Sequence, residues 1–301
     1  MSIQVSNICK LYGNQKALNN ISFEVGSNEI VGFLGPNGAG KSTMMKILTC
    51  YIPPTEGTAK VCGFDIINQS LEVRKQIGYL PEHNPLYLDM YVKEFLEFVG
   101  GIYKIKNIKG RVKDMIEMTG LQVEQNKKIG ALSKGYRQRV GLAQAIIHDP
   151  KVLIMDEPTT GLDPNQLEEI RGLIKALGKE KTVMLSTHIM QEVEAICDRV
   201  IIINKGEIVA NDETKNLQKN TTKQIIIVEF DKTVSEKLLH TITNIEEVKL
   251  LNGNTWHLSS TSKEDVRKDI FNFAVANNLS VLTLNKEGQK MEDVFKELTK
   301  K

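Results

Sequence analysis

Polar and apolar residues alternate at the start of the chain, with Ile3, Val5 and Ile8 and then Ile21, Phe23 and Val25 on the apolar beat. That period of two predicts an antiparallel hairpin. An unbroken apolar run follows, Ile30-Val31-Gly32-Phe33-Leu34, and then a helix-like stretch over 43–48. Short strands are expected at 58–61 and 77–80. Across 88–121 the spacing turns helical, through Phe95, Leu96 and Val99 and then Val112, Met115, Ile116 and Leu121. Val152-Leu153-Ile154-Met155 reads as a central strand covered on both faces. A helix over 164–177, a strand over 182–185, a helix over 189–197 and a strand over 200–203 complete this half. The polar stretch Lys215-Asn216-Leu217-Gln218-Lys219-Asn220 reads as a linker. Beyond it the pattern gives a strand at 224–230, a helix at 234–242 and two strands across 248–259 turning at Asn252-Gly253-Asn254. A helix at 263–277, a strand at 280–284 and a helix at 291–298 follow.

The order β-α-β-β-α-β plus a helix predicts a small α+β ferredoxin-like domain over 220–301, after a first domain over 1–215. A length of 301 residues accommodates both. Apolar residues make up 41% and charged ones 25%, as in ordinary globular chains, and a net charge of +2 supplies no field for nucleic acid or a lipid surface. Cys9, Cys50, Cys62 and Cys197 form no C-x-x-C pair, so neither a zinc ribbon nor a disulfide framework is expected. His188, Glu192 and Cys197 lie near one helix without a recognised zinc spacing. The N-terminus lacks a secretory pattern, and the apolar runs fall far short of the ~20 residues of a membrane span, so a cytoplasmic chain is expected.

The run Gly35-Pro36-Asn37-Gly38-Ala39-Gly40-Lys41-Ser42-Thr43 changes this bland picture. It fits the phosphate-loop pattern G-x-x-x-x-G-K-[ST], and it stands between a strand and a helix as that pattern requires. Its glycines let backbone N–H groups turn toward phosphates, and the following helix points its positive end at the same anion. Lys41 is expected on the β- and γ-phosphates of ATP, and the Ser42 hydroxyl on Mg2+. The strand at 152–155 ends in Asp156-Glu157-Pro158, so Asp156 is a candidate Mg2+ ligand and Glu157 a candidate base for the attacking water. Further along, Ser133 in Leu132-Ser133-Lys134-Gly135-Tyr136 is a suitable N-cap for the next helix. With Gly135 it makes a second anion site, which has no evident use within a single chain.

Together these segments resemble the ABC ATPases, with Ser133 to Arg139 in the place of the signature segment. Other marks of that family follow in order. Tyr12 matches the aromatic that stacks on adenine, Gly161-Leu162-Asp163-Pro164 the D-loop, and His188 the switch histidine that contacts the γ-phosphate. Glu82 falls where most members carry a glutamine, and a carboxylate there only accepts hydrogen bonds but can still bind Mg2+. The resemblance implies a P-loop NTPase cassette with a mixed sheet core, an antiparallel β subdomain and a helical subdomain at about 85–150. It also implies Asp163 as a nucleotide-binding residue, a head-to-tail dimer with two ATP sandwiched, in which Ser133 and Gly135 serve the partner's site, and a multi-span membrane subunit driven from the inner face of the membrane. The single cassette with an added C-terminal domain is similar to ABC-2 exporter subunits. The run from Gly78 to Tyr87, with the signature segment, resembles the gliding-motility-associated branch. Two alternatives remain from sequence: a soluble ABC ATPase acting on ribosomes or DNA, and a regulatory ATP-binding module that does not hydrolyse.

Overall fold

Strands β1 (Ile3–Tyr12) and β2 (Gln15–Val25) form the antiparallel hairpin that their alternation predicts, with Ile3 opposite Val25 and Val5 opposite Phe23. The computed structural model describes residues 1–219, 224–262, 264–287 and 291–299, which divide into two units, Met1–Asp212 and Glu213–Lys301. In the first unit β3 (Ile30–Leu34), α1 (Lys41–Leu48), β4 (Glu56–Val61), β5 (Phe64–Asp65), α2 (Ser70–Gln76) and β6 (Ile77–Leu80) follow the hairpin. Next come α3 (Val92–Ile102), α4 (Ile108–Met118), α5 (Lys134–Ile146), β7 (Val152–Asp156), α6 (Pro164–Gly178) and β8 (Thr182–Thr187). The unit closes with α7 (Met190–Ile196), β9 (Arg199–Asn204) and β10 (Glu207–Glu213), the last a strand that the apolar pattern did not reveal.

Two sheets result. One has four strands in the order β2-β1-β4-β5, and the other has six in the order β10-β9-β3-β8-β7-β6. Strands β9, β3, β8, β7 and β6 run parallel in the larger sheet. Every residue of β3, β7 and β8 is buried, which explains their continuous apolar runs. Helix α1 touches strands of both sheets and buries Met44, Met45, Ile47 and Leu48 in the core they share. The first unit leaves α3, α4 and α5 packed on one another as a helical subdomain. Helix ends stop where capping chemistry dictates: Asn107 accepts from Gly110 N at the start of α4, and Asp163 with Pro164 begins α6.

The second unit holds α8 (Thr214–Lys219), β11 (Gln224–Phe230), α9 (Glu236–Leu239), β12 (Glu247–Asn252), β13 (Thr255–Ser260), α10 (Arg267–Ala276), β14 (Val281–Glu287) and α11 (Met291–Thr299). Its sheet has the order β12-β13-β11-β14, antiparallel throughout, as in a ferredoxin-like fold. Ile226, Val228 and Phe230 on one face of β11 pack with Trp256, Leu258 and Ile270.

The structure departs from the sequence pattern at three elements. The stretch read as a linker is helical over 214–219, because α8 lies against α11 and tertiary contact overrides a polar composition; Asn220 lies outside the described residues. The helix expected over 234–242 shrinks to α9, since β-branched Thr241 and Ile242 disfavour helix and the chain leaves through i→i+3 turns. Helix α10 starts at Arg267 rather than at 263, because the Asp265 carboxylate takes the Arg267 N–H and guanidinium and holds a turn there; Lys263 lies outside the described residues.

Among the described residues no helix is long and apolar enough to cross a membrane. Phe33 is fully buried beside Phe23, at a ring distance of 5.8 Å, on the strand that leads to the phosphate loop. Phe33→Ala is expected to cost about 3–5 kcal/mol of stability, read by urea unfolding.

Candidate active site

The loop between β3 and α1 bends where only glycine fits. Gly38 has φ 79° and Gly40 φ 110°. A Cβ on Gly40 would stand 2.6 Å from the Ala17 carbonyl oxygen, and one on Gly35 would stand 2.4 Å from that of Ile203. The loop is therefore pinned by backbone from β2 and from β9, and the N-terminus of α1 opens into a cavity of about 520 Å3. Tyr12, Asn37, Gly38, Gly40, Lys41, Ser42, Thr43, Glu82, Glu157 and His188 all line that cavity. Gly35, Pro36 and Ala39 form the back of the loop. Ala39 N donates to the Pro36 carbonyl at 3.1 Å, and the Ala39 carbonyl accepts from Gly206 N at 3.0 Å.

Lys41 is only 6% exposed. Its Nζ donates to the Gly35 carbonyl at 2.7 Å and the Pro36 carbonyl at 3.3 Å, and stands 3.7 Å from Glu157 Oε1. Burial pulls this ammonium below the usual lysine range, opposed by the Glu157 and Asp156 carboxylates. Glu157 adopts φ 51°, a left-handed conformation that a non-glycine residue adopts only at some cost. Strand β8 holds it there, since Glu157 N donates to the Ser186 carbonyl at 3.1 Å and lies 3.2 Å from Ser186 Oγ. The twist turns the carboxylate toward His188, whose Nδ1 donates to Glu157 Oε2 at 2.9 Å, while Thr160 Oγ1 donates to the same oxygen at 3.2 Å. Asp156 is buried and accepts a short hydrogen bond from Ser186 Oγ.

The site can hold a nucleotide and a hard cation. A glycine-only backbone cradle at a helix N-terminus suits phosphate. Ser42, Glu82 and Asp156 line one continuous groove, and each offers oxygen ligands of the kind Mg2+ takes.

Ser133 and Gly135 do not line this cavity. Ser133 Oγ accepts from Tyr136 N at 3.4 Å and caps α5, while Gly135 lies so close to Gln166 of α6 that a Cβ would strike its side-chain amide. Asp163 is also outside the cavity, with Oδ1 taken by Gln166 N at 2.9 Å. Tyr12 keeps its ring half exposed, with the Lys10 ammonium 5.4 Å above it. Sequence reading missed Thr160 and Ser186, because a lone hydroxyl carries no spacing signal.

The ABC transporter family matches residues 18–160. An uncharacterized ABC transporter ATP-binding protein, YxlF of Bacillus subtilis, is 39% identical over 78% of this chain and 78% of its own length. The bacitracin transport ATP-binding protein BcrA of Bacillus licheniformis is 32% identical over 98% of this chain and 96% of its own. The cassette MJ0796, solved as a dimer, superposes with a TM-score of 0.65 at 28% identity over 70% of this chain and 98% of that one. Its post-hydrolysis dimer, bound to ADP and Pi, gives 0.64 at the same identity and coverage.

Gly40→Ala combines a strained φ with a backbone clash. It is expected to weaken ADP binding by at least about tenfold, measured by calorimetry, because the phosphate amides lose their aim.

Proposed function

The chain belongs to the ABC transporter ATP-binding proteins, and we propose that two copies of it bind two ATP head to tail and hydrolyse them to drive a membrane partner. One observation carries this reading: the phosphate cradle around Lys41 and the capped N-terminus at Ser133 lie apart in the same chain. A second copy turned by a two-fold axis would bring each cradle opposite the other's Ser133 and Gly135. The MJ0796 dimers support that arrangement by similarity.

Within each site the residues divide the work. The amides of Gly38 to Thr43 and the Lys41 ammonium hold the phosphates, and Tyr12 offers a face for the adenine ring. Ser42, Asp156 and Glu82 would hold Mg2+, which when bound offsets the charge of the phosphate oxygens. Glu157 polarises the attacking water and accepts its proton. His188 keeps the Glu157 carboxylate oriented through their 2.9 Å contact and reaches the γ-phosphate. Lys41 releases the Gly35 and Pro36 carbonyls for phosphate oxygens, a stronger partner for a buried ammonium.

The open groove lined by Tyr79, Glu82, Tyr87, Phe95, Phe98 and Tyr103 supports docking of cytoplasmic helices from a multi-span partner, with the chain peripheral on the inner face of the membrane. The relative named for bacitracin transport supports coupling to transport. The gliding-motility subtype rests on the segments at 78–87 and 132–139 alone, and none of the relatives compared above carries that name.

Glu157→Gln is expected to lower kcat for ATP at least about 100-fold in a Mg2+-dependent assay. With Mg-ATP it should then retain a multi-span membrane protein during affinity capture from solubilised membranes, and Lys41→Ala should lose it. Full ATPase activity in Glu157→Gln would sink this reading.

A further inference from the structure

Glu192, on α7, is 0% exposed and has no part in the chemistry above. Each carboxylate oxygen is taken by a threonine hydroxyl. Thr159 Oγ1 donates a short hydrogen bond to Oε1, and Thr187 Oγ1 donates to Oε2 at 2.7 Å. Thr187 Oγ1 also accepts from Ile189 N at 3.0 Å. Both threonines are themselves buried, at 2% and 0%. Thr159 follows Glu157 by two residues and Thr187 immediately precedes His188. The carboxylate thus joins the loop that carries the base to the loop that carries the histidine.

Packing alone does not explain a carboxylate here. An apolar side chain would fill the space without the desolvation penalty of a carboxylate. What an apolar residue cannot do is accept from two loops at once and set the distance between them. Helix α7 is a firm base for such a clamp. It lies on β3, where a Cβ on Gly32 would stand 3.0 Å from Cys197 Sγ and 3.3 Å from Val193 Cγ2. β3 also leads into the phosphate loop, so the clamp references both loops to the element that presents the phosphates.

We propose that Glu192 is a positioning residue for hydrolysis, its carboxylate clamping Thr159 and Thr187 so that Glu157 and His188 stay in contact. The inference rests on the assignment of Glu157 and His188 as the hydrolytic pair. It predicts loss of turnover with little loss of ATP affinity, because the phosphate loop is held separately by β2 and β9.

The test measures kcat, ATP affinity and thermal unfolding for Glu192→Ala, Glu192→Gln, Thr159→Val and His188→Ala, with the Glu192→Ala/His188→Ala double variant. Glu192→Ala and Thr159→Val are expected to lower kcat about 10- to 100-fold, with the ATP Kd within about twofold. Glu192→Gln should stay within about threefold of the parent, since its amide oxygen accepts from Thr187 and its NH2 donates to Thr159. In the His188→Ala background, Glu192→Ala should cost less than about twofold more. Multiplicative losses in that cycle would overturn the clamp, as would a Glu192→Gln as poor as Glu192→Ala. Equal falls in kcat, ATP affinity and melting temperature would reduce Glu192 to a fold residue and overturn it as well. Should Glu192→Ala not fold, Thr159→Val combined with His188→Ala runs the same cycle. An active Glu157→Gln would mean that the hydrolytic pair itself is misassigned. An inactive Glu157→Gln with an additive Glu192 cycle would mean that only the clamp is wrong.

Discussion

Close backbone approach at the mouth of α1 is the constraint on which the rest of the first unit depends. At Gly35 and Gly40 the chain passes so near the Ile203 and Ala17 carbonyls that no side chain can stand there. Those carbonyls belong to β9 and β2, one strand from each sheet, so the loop is gripped from two layers at once. Helix α1 is thereby driven into the shared core with its N-terminus facing outward. The burial of Met44, Met45, Ile47 and Leu48 that stabilises the domain is the same event that turns the N-terminus of α1 toward the cavity.

Around that cradle the charges are held by hydroxyls and backbone as much as by one another. Lys41 and Glu157 are both nearly buried and stand 3.7 Å apart, each also held by other hydrogen bonds. Ser186 bonds Asp156 and the backbone of Glu157, Thr160 bonds the Glu157 carboxylate, and Thr159 and Thr187 meet at Glu192. These hydroxyls give each buried carboxylate a hydrogen-bond donor without placing a second charge beside it. The left-handed backbone of Glu157 belongs to the same economy of position: strain is accepted where it turns a carboxylate toward His188.

The two units differ in how openly their sequences speak. In the cassette, strands such as 152–155 and 58–61 were legible because full burial leaves a continuous apolar run and half burial an alternating one. In the second unit the strands were legible and the helices less so. Strand β11 carries an unbroken apolar run over 225–228, whereas α9 and α10 are cut short by β-branched residues and by the Asp265 turn. Helix α8 reads as polar linker because its stability comes from α11, distant in sequence. Strand β10 hides for a similar reason, as an edge strand of alternating exposure with few apolar residues.

Sequence by itself determined the glycine-rich loop, the acidic strand end and the capped start of α5, and through their order the family. Each of these is local: a glycine at a left-handed φ, a lysine one residue later, a serine three residues before the amide it caps. Only the tertiary structure decided which side chains meet. Residues Lys41 and Glu157 are separated by more than a hundred positions, and Glu157 reaches His188, and Glu192 reaches Thr159, only because β7 and β8 run parallel and adjacent. Parallel strands end on the same side of a sheet, so the loops that follow them must converge, and no periodicity within either segment encodes that meeting.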